Sequence, residues 1–530
     1  MHLGLRAERY PVLDVPVIYF VEPTEENISR IVADCKAGLY SYMHVNFTSG
    51  ISSNLLRRFA SELSQTVRQG SSQISKVIDR YCSFVSLDQT TFSLNLPSTY
   101  LNLHQSAASE KDIESIISKV TEGILSVLIT CVRQVPVIRA SGSGAAGMVA
   151  QALSDRLQGL AKAAESDSSS SSLFPSSSGS VSADPSHAQR PLLVILDRDA
   201  DLTAMVSHGW SYASLMTDLL GMNLNKISIP KEQKVYDIDV NDSFWKKIGH
   251  LPFPEAATRV NDLVAEFSRI RGELTTSSSD TSGVANTMLS SAVTALPKVT
   301  EMKKTVDMHT TIATCLLNEI KTKKFDRFVE LENDLNVTSF MSSVISDASY
   351  ASIDKIRTAI YLALKKEGAK IDQMIAQLQQ DGELLPALKY VKYLLTLRGN
   401  NTSSVTPVAG TMLEGLAERM KSGMKNLKTM LPVNENSILT NTVQQLADQT
   451  VSSPTTTDSF LYFDPRNPNS SVRVKGSFRQ IIVCVVGGGS VCESENLSAW
   501  ASKTGRTLIY GASDFPSPSQ FVSDLSKLAK

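Results

Sequence analysis

The chain lacks net charge, clustered cysteines and any recognisable catalytic constellation, and each shortage removes a class of function. Lys+Arg 52 against Asp+Glu 53 leaves a formal charge of −1 at pH 7, so no bulk field draws the protein to nucleic acid or an anionic membrane. The six cysteines (Cys35, Cys82, Cys131, Cys315, Cys484 and Cys492) are scattered, with no CxxC and no metal-ligand spacing. Such thiols suit a reducing cytosol. No apolar run in the sequence reads as long enough to cross a bilayer, and the first residues lack the basic-then-apolar pattern of a signal peptide. No nucleophile, base and orienting group stand at a recognisable spacing, which argues against covalent catalysis. Any action at a membrane is therefore expected to run through a partner.

What is present is the mix of an ordinary globular protein, with 530 residues, 42% hydrophobic and 20% charged. That length supports two to four domains with cores of their own. The most informative stretch runs from Arg190 to Asn225. Leu192 to Leu196 is an unbroken apolar run of strand length, the pattern of an inner strand in a helix-covered parallel sheet. Asp197, Asp199 and Asp201 then suit a turn, and Tyr212, Leu215, Met216, Leu219 and Leu220 recur at helical spacing. Three close acids also open like a calcium loop, but Leu202 and His208 stand where the glycine and the bidentate glutamate belong. An ion pair of Arg198 with an acid at the strand end is the expected use.

Val15 to Val21 reads as another strand, and Thr24 before Glu25 and Glu26 as a helix start. Leu56, Phe59, Ala60 and Leu63 form one helical stripe; Ile74, Val77, Ile78 and Tyr81 form a second. Val135 to Arg139 is a strand followed by Gly142-Ser143-Gly144-Ala145-Ala146-Gly147, a complete GxGxxG that opens a helix. This turn carries the competing reading, an NAD(P)-binding oxidoreductase using Gly142, Gly144 and Gly147. Against it, the next strand is delayed to Leu192 by a Ser-rich stretch, residues 165–187, expected to be disordered. In the helical middle of the chain, Met302, Val306, His309, Ala313 and Leu316 hold one face apolar or nearly so, and Pro297 is expected to break or kink the helix. Ile481 to Val486 and Thr507 to Tyr510 return to strand, the first closed by Gly487-Gly488-Gly489 as a tight turn.

LDRDADL followed by HGWSYASLMTDLL resembles the signature strand–turn–helix of the SM proteins (Sec-one/Munc-eighteen family), in particular the Sly-type branch that serves SNAREs between ER and Golgi. VPVIYFVEPTEENISRI and VYDIDVNDSFWKKIGHLPFPEAATRVNDLVAEF extend the resemblance over nearly the whole chain. It implies two α/β parallel-sheet domains and a large helical domain in an arch. Residues 1–125 would form domain 1, 126–240 with 460–530 a discontinuous domain 2, and 241–459 the helical domain 3. Members of the family begin with a further strand and helix, without which the first sheet would expose apolar faces.

The resemblance also implies a role without cofactor or metal. A pocket around Leu56, Phe59, Ala60, Ile74, Val77 and Ile78, on a pair of helices, would take the N-terminal peptide of a Golgi or ER syntaxin. A hairpin at about residues 284–318, with Leu296, Pro297, Met302, Val306, His309 and Leu316, would template a vesicle R-SNARE beside the syntaxin. Residues 401–432 would act as a lid over the SNARE site. The expected partners are the syntaxin (a Qa-SNARE), the assembled SNARE complex and tethering complexes, with the protein cytoplasmic and peripheral on ER and Golgi membranes. A scaffold or tether without templating activity is the third reading.

Overall fold

The computed structural model describes residues 3–66, 73–142, 144–166, 173–174, 190–229, 234–276, 285–366, 368, 370–380, 382–400, 437–449, 459–469 and 476–529. It opens with a small lobe of β1 (Val17–Val21), α1 (Glu25–Lys36), β2 (Met43–Phe47), α2 (Ser53–Thr66) and β3 (Ile74–Asp79). The strands are parallel in the order β1-β2-β3. Thr24 caps α1 by accepting from the Asn27 N–H, with Glu25 and Glu26 in the first turn. Tyr19, Met43, Val45 and Phe47 pack on one face against Ile31 and Val32 of α1 and Phe59 and Leu63 of α2. On the opposite face Ile18 is 72% and Phe20 61% exposed.

Residues 74–79 form a strand, where the apolar spacing predicts a helix. Over so short a stripe the two periods overlap. Ile, Val and Ile favour an extended backbone through their branched Cβ, and β2 offers an open edge to pair with.

Next come β4 (Val85–Ser86), β5 (Thr91–Ser93), α3 (Thr99–His104), α4 (Glu110–Val127), β6 (Val137–Ala140), α5 (Ala145–Ser166) and β7 (Leu192–Asp197). With the π turn that continues it, α4 spans 23 residues, long and apolar enough by composition to cross a membrane. No apolar run announces it, because polar residues interrupt its sequence. Its apolar side (Ile117, Val120, Ile124, Leu125 and Leu128) is buried in the core beside β6 and β7. Of the Ser-rich stretch expected to be disordered, Glu165 and Ser166 end α5 and Phe174 packs on this core. Apart from Leu173, which is exposed, the rest of it lies outside the described residues.

The helical body follows: α6 (Thr203–Val206), α7 (Tyr212–Leu219), the hairpin β8 (Lys226–Ile229) and β9 (Lys234–Asp237), α8 (Trp245–Ile248), α9 (Phe253–Thr276) and α10 (Ala285–Lys323). It continues with α11 (Phe325–Asp334), α12 (Val337–Ser343), α13 (Ser352–Lys365), α14 (Ile371–Gln377) and α15 (Leu385–Asn400). The expected lid at 401–432 lies outside the described residues. The chain then returns through α16 (Ile438–Ala447), β10 (Asp448–Gln449), β11 (Leu461–Phe463), β12 (Gly476–Ser477), β13 (Gln480–Val486), α17 (Val491–Thr504), β14 (Thr507–Ala512) and α18 (Pro518–Leu528).

The large sheet has the order β11-β6-β7-β13-β14-β5-β4, with β6, β7, β13, β14 and β5 parallel. β5 joins it by pairing with β14, and α4 packs in its core, so residues 85–125 go with the second sheet and not with the first. At the other border, α16 covers this sheet, whereas Phe521, Val522 and Leu525 of α18 sit in the helical core. Sequence runs of like character cannot show such exchanges, because they are decided by which core each apolar face reaches.

At Gly511 of β14 the Phe92 ring of β5 lies across the backbone, and a Cβ there would approach its Cζ to 2.2 Å. Phe92 is buried and cannot swing clear. Gly511→Ala is expected to lose about 1–3 kcal/mol by overpacking, read as a lower urea midpoint at unchanged m-value.

Candidate functional site

Of the six residues expected around a peptide pocket, the structure brings three to the surface on one side of the small lobe. Leu56 and Ala60 stand one turn apart on the outer side of α2, both exposed. Val77, on the edge strand β3, pairs with Val45 and so shares the sheet face that α2 covers; it is 40% exposed. Ile74 lies on that face beside Met43, half-buried against the core. Phe59 is only 2% exposed and belongs to the core beneath. Ile78 pairs with Asn46 and points to the opposite face, because strand side chains alternate. Leu56 and Ala60 thus stand on a helix and Val77 on an edge strand, not on two helices, while Phe59 is in the core and Ile78 on the opposite face.

The residues of the long helical element divide in the same way. α9 and α10 pack along one another, and α10, at 39 residues, is about 58 Å long at 1.5 Å per residue. Of the break or kink expected at Pro297, the break does not occur: the helix continues through it from Ala285 to Lys323. Pro297 is exposed, so its ring meets solvent and not a neighbouring helix. Val306 and Leu316 are buried, the latter with Ile312 and Ile320 against Tyr212, Trp245 and Phe253. His309 is fully buried: its Nδ1 lies 3.1 Å from the Tyr212 hydroxyl, with Phe244 and Trp245 around the ring. These three side chains anchor α10 and cannot meet a partner. From Pro297 to Thr305, by contrast, every side chain is exposed or half-exposed, Met302 among them. The side chain of Leu296 lies outside the described residues.

The three acids after β7 go to three different places. Asp197 Oδ1 accepts from the Ala146 N–H at 2.8 Å. Asp199 accepts from the Tyr100 hydroxyl at 2.8 Å and lies 2.9 Å from His104 Nε2. Asp201 accepts from the Thr203 N–H and hydroxyl. Arg198 turns inward and forms a bidentate pair with Glu493 at 2.7 and 2.8 Å, both side chains 0% exposed.

Asp197 also decides the GxGxxG turn. Its carboxylate occupies the N-terminus of α5, so close to Gly144 that a Cβ there would fall 2.6 Å from Oδ2. A pyrophosphate would need that same seat, and a carboxylate already there repels it. Burial pushes the Asp197 carboxyl up to about 6, so at neutral pH the group is mostly charged. At Gly144 the turn admits the Asp197 side chain where a pyrophosphate would sit. At the triple glycine, Gly487 and Gly488 take φ of 106° and 110°, and a Cβ on Gly487 would lie 2.8 Å from Arg198 Cβ. That turn wraps the Arg198–Glu493 pair.

One assembly has no counterpart in the sequence pattern. His208, Asp218, Glu332, Asp354 and Arg357 meet at the seam between α6–α7 and helices α11 and α13 of the helical body. Their partners lie 124 to 146 positions apart in pairs such as His208–Glu332 and His208–Asp354, beyond the reach of any local signal.

Two main sheets with a helical body, leaving Leu56, Val77 and the Pro297–Thr305 part of α10 at the surface, make up the architecture. The chain belongs to the Sec1 family, whose profile matches residues 3–524. It is 32% identical to protein sly1 of Schizosaccharomyces pombe, over 100% of this chain and 88% of that protein. It is also 32% identical to the SEC1 family transport protein SLY1 of Arabidopsis thaliana, over 99% of this chain and 86% of that protein. The crystal structure of Sly1p in complex with an N-terminal peptide of Sed5p superposes with a TM-score of 0.79 at 30% identity, covering 99% of this chain and 86% of that one. The SM protein Vps45 in complex with the Qa SNARE Tlg2 shares the fold, with a TM-score of 0.74 at 19% identity over 99% and 88% of the two chains.

Proposed function

We propose that this chain is a SNARE-binding SM protein of ER–Golgi vesicle transport, which binds a Qa-SNARE syntaxin and promotes SNARE assembly and membrane fusion without changing a covalent bond. The observation that carries the reading is the likeness, at 30% identity over 99% of the chain, to Sly1p solved with a Sed5p N-terminal peptide. In the small lobe, Leu56, Ala60 and Val77 supply an exposed apolar strip for such a peptide, with Ile74 half-buried beneath it. Apolar anchors of a peptide gain most where small and large residues leave a hollow, as Ala60 does beside Leu56.

The projecting part of α10, Pro297 to Thr305, supplies the surface on which SNARE helices are aligned, while Val306, His309 and Leu316 fix its base. Holding two helices in register lowers the ordering cost of their pairing. Through such partners the protein gathers on ER and Golgi membranes. No observation supports the oxidoreductase reading, and Asp197 stands against it.

The test is calorimetric titration of a Golgi-syntaxin N-terminal peptide into the full chain and into Leu56→Arg. Saturable binding by the first, weakened at least about 100-fold in the second (roughly 2.7 kcal/mol), is the expected result. Equal binding by both removes the strip from the reading. Binding without acceleration of SNARE assembly in a liposome fusion assay makes the protein a scaffold.

A further inference from the structure

His208 follows α6 in the turn that leads to α7, and its ring is 0% exposed. Nδ1 lies 2.5 Å from Glu332 Oε1 on α11, and Nε2 lies 3.4 Å from Asp354 Oδ1 on α13. The backbone N–H of the same residue donates to Glu332 Oε2 at 2.9 Å. Phe328 stacks on the ring and Phe325 meets it edge-on, so water has no route to either nitrogen.

Two carboxyl groups facing two ring nitrogens favour the imidazolium. A neutral imidazole keeps one nitrogen as an acceptor, and here that lone pair would oppose a buried carboxylate. Only the imidazolium donates on both sides.

The remaining charges are few and can be placed. Arg357 on α13 is 1% exposed and bidentate to Asp218 of α7 at 2.6 and 2.9 Å; it also reaches Asp354 and the carbonyls of Val206 and Ser207. Lys355 turns away to the Ile345 carbonyl, and Lys323 of α10 acts on Asp354 only through space. With the proton on His208, three acids face two cations. Without it they face one, in a place that water does not screen.

We propose that the proton on His208 is the clasp holding the α6–α7 turn to the helical body, so that this seam opens locally as pH rises. The direction follows from linkage. Burial and Arg357 both disfavour the charged ring, yet Glu332 and Asp354 hold its pKa above the ordinary value. The clasp is complete below about 6.5, the ordinary imidazole pKa. It is lost as pH climbs through the raised folded value. Asp354 is held low by His208 and Arg357 despite its burial, so its own contribution fails only on the acid side, below the ordinary carboxylate range.

Hydrogen–deuterium exchange of the full chain between pH 6 and 9, corrected for intrinsic rates, tests this in peptides covering 203–210 and 325–335. In the wild type the opening constant is expected to rise about tenfold per pH unit above pH 6.5 and then level off. In His208→Gln, which can donate but not titrate, opening is expected to be greater at pH 6.5 and flat with pH. Parallel wild-type and variant profiles would overturn the proposal. Should His208→Gln not fold, Glu332→Gln serves instead. It removes one carboxylate, so the levelling-off is expected at a lower pH, and an unmoved plateau sinks the clasp.

Discussion

Glu493→Ala is expected to lower stability by roughly 3–5 kcal/mol, the range for breaking a buried ion pair from one side. The reason lies in what is left behind. Arg198 keeps its charge, fully buried, with the Gly488 carbonyl at 3.3 Å as its remaining strong acceptor among the described contacts. The Tyr510 hydroxyl, which donates to Glu493 Oε2 at 2.7 Å, loses its acceptor as well. Urea unfolding of the two chains measures the difference. A loss below about 1 kcal/mol would mean that the site relaxes or admits water. Arg198→Met combined with Glu493→Leu is expected to recover most of the loss, since apolar groups of similar volume often replace a buried pair without penalty. The pair is thus better understood as a pin for the Gly487–Gly489 turn than as a source of stability.

Phe59→Arg and Leu56→Arg are expected to separate folding from binding. Phe59 is sealed between α2 and the small sheet, and an arginine there buries an unpaired charge while removing an aromatic from a small core. A loss of about 4 kcal/mol or more follows from truncating the ring and desolvating the charge, enough to unfold a lobe of this size. Leu56 is 41% exposed, and its replacement is expected to stay within about 0.5 kcal/mol of the wild type. Circular dichroism melts alongside peptide titration distinguish the two. Loss of binding in Phe59→Arg alone says nothing about a pocket, because the lobe that carries the strip is gone.

What could be read from the sequence was governed by how local each cause is. Strand β7, the Thr24 cap, β13 with its triple glycine and β14 answer to runs of a few residues, and the structure has them where the pattern places them. The short apolar stripe of residues 74–79 fits either period, and the open edge of β2 decides for a strand. Met302 and Pro297 stay at the surface while Val306, His309 and Leu316 are buried; one helical face is apolar throughout, and only the aromatic cluster of Tyr212, Phe244 and Trp245 tells its two halves apart. The ion pairs of Arg198 and His208 depend on partners from distant helices. Three neighbouring acids point to a local partner for Arg198, yet it pairs with none of them but with Glu493.

The central pairing of the large sheet has a consequence for how the protein is made. β7 lies directly beside β13, Leu192 against Ile481, with the whole helical body threaded between them. At about 5–20 residues per second a ribosome needs roughly 15–60 s to reach β13 after β7 has been synthesised. During that interval a buried, almost wholly apolar strand has one flank without its neighbour, and a nascent chain in that condition is a substrate for aggregation or for a holding chaperone. A stop codon anywhere in the helical body leaves β7 in that state for good. Translation speed and chaperone supply then join the final free energy in setting how much of this protein a cell obtains.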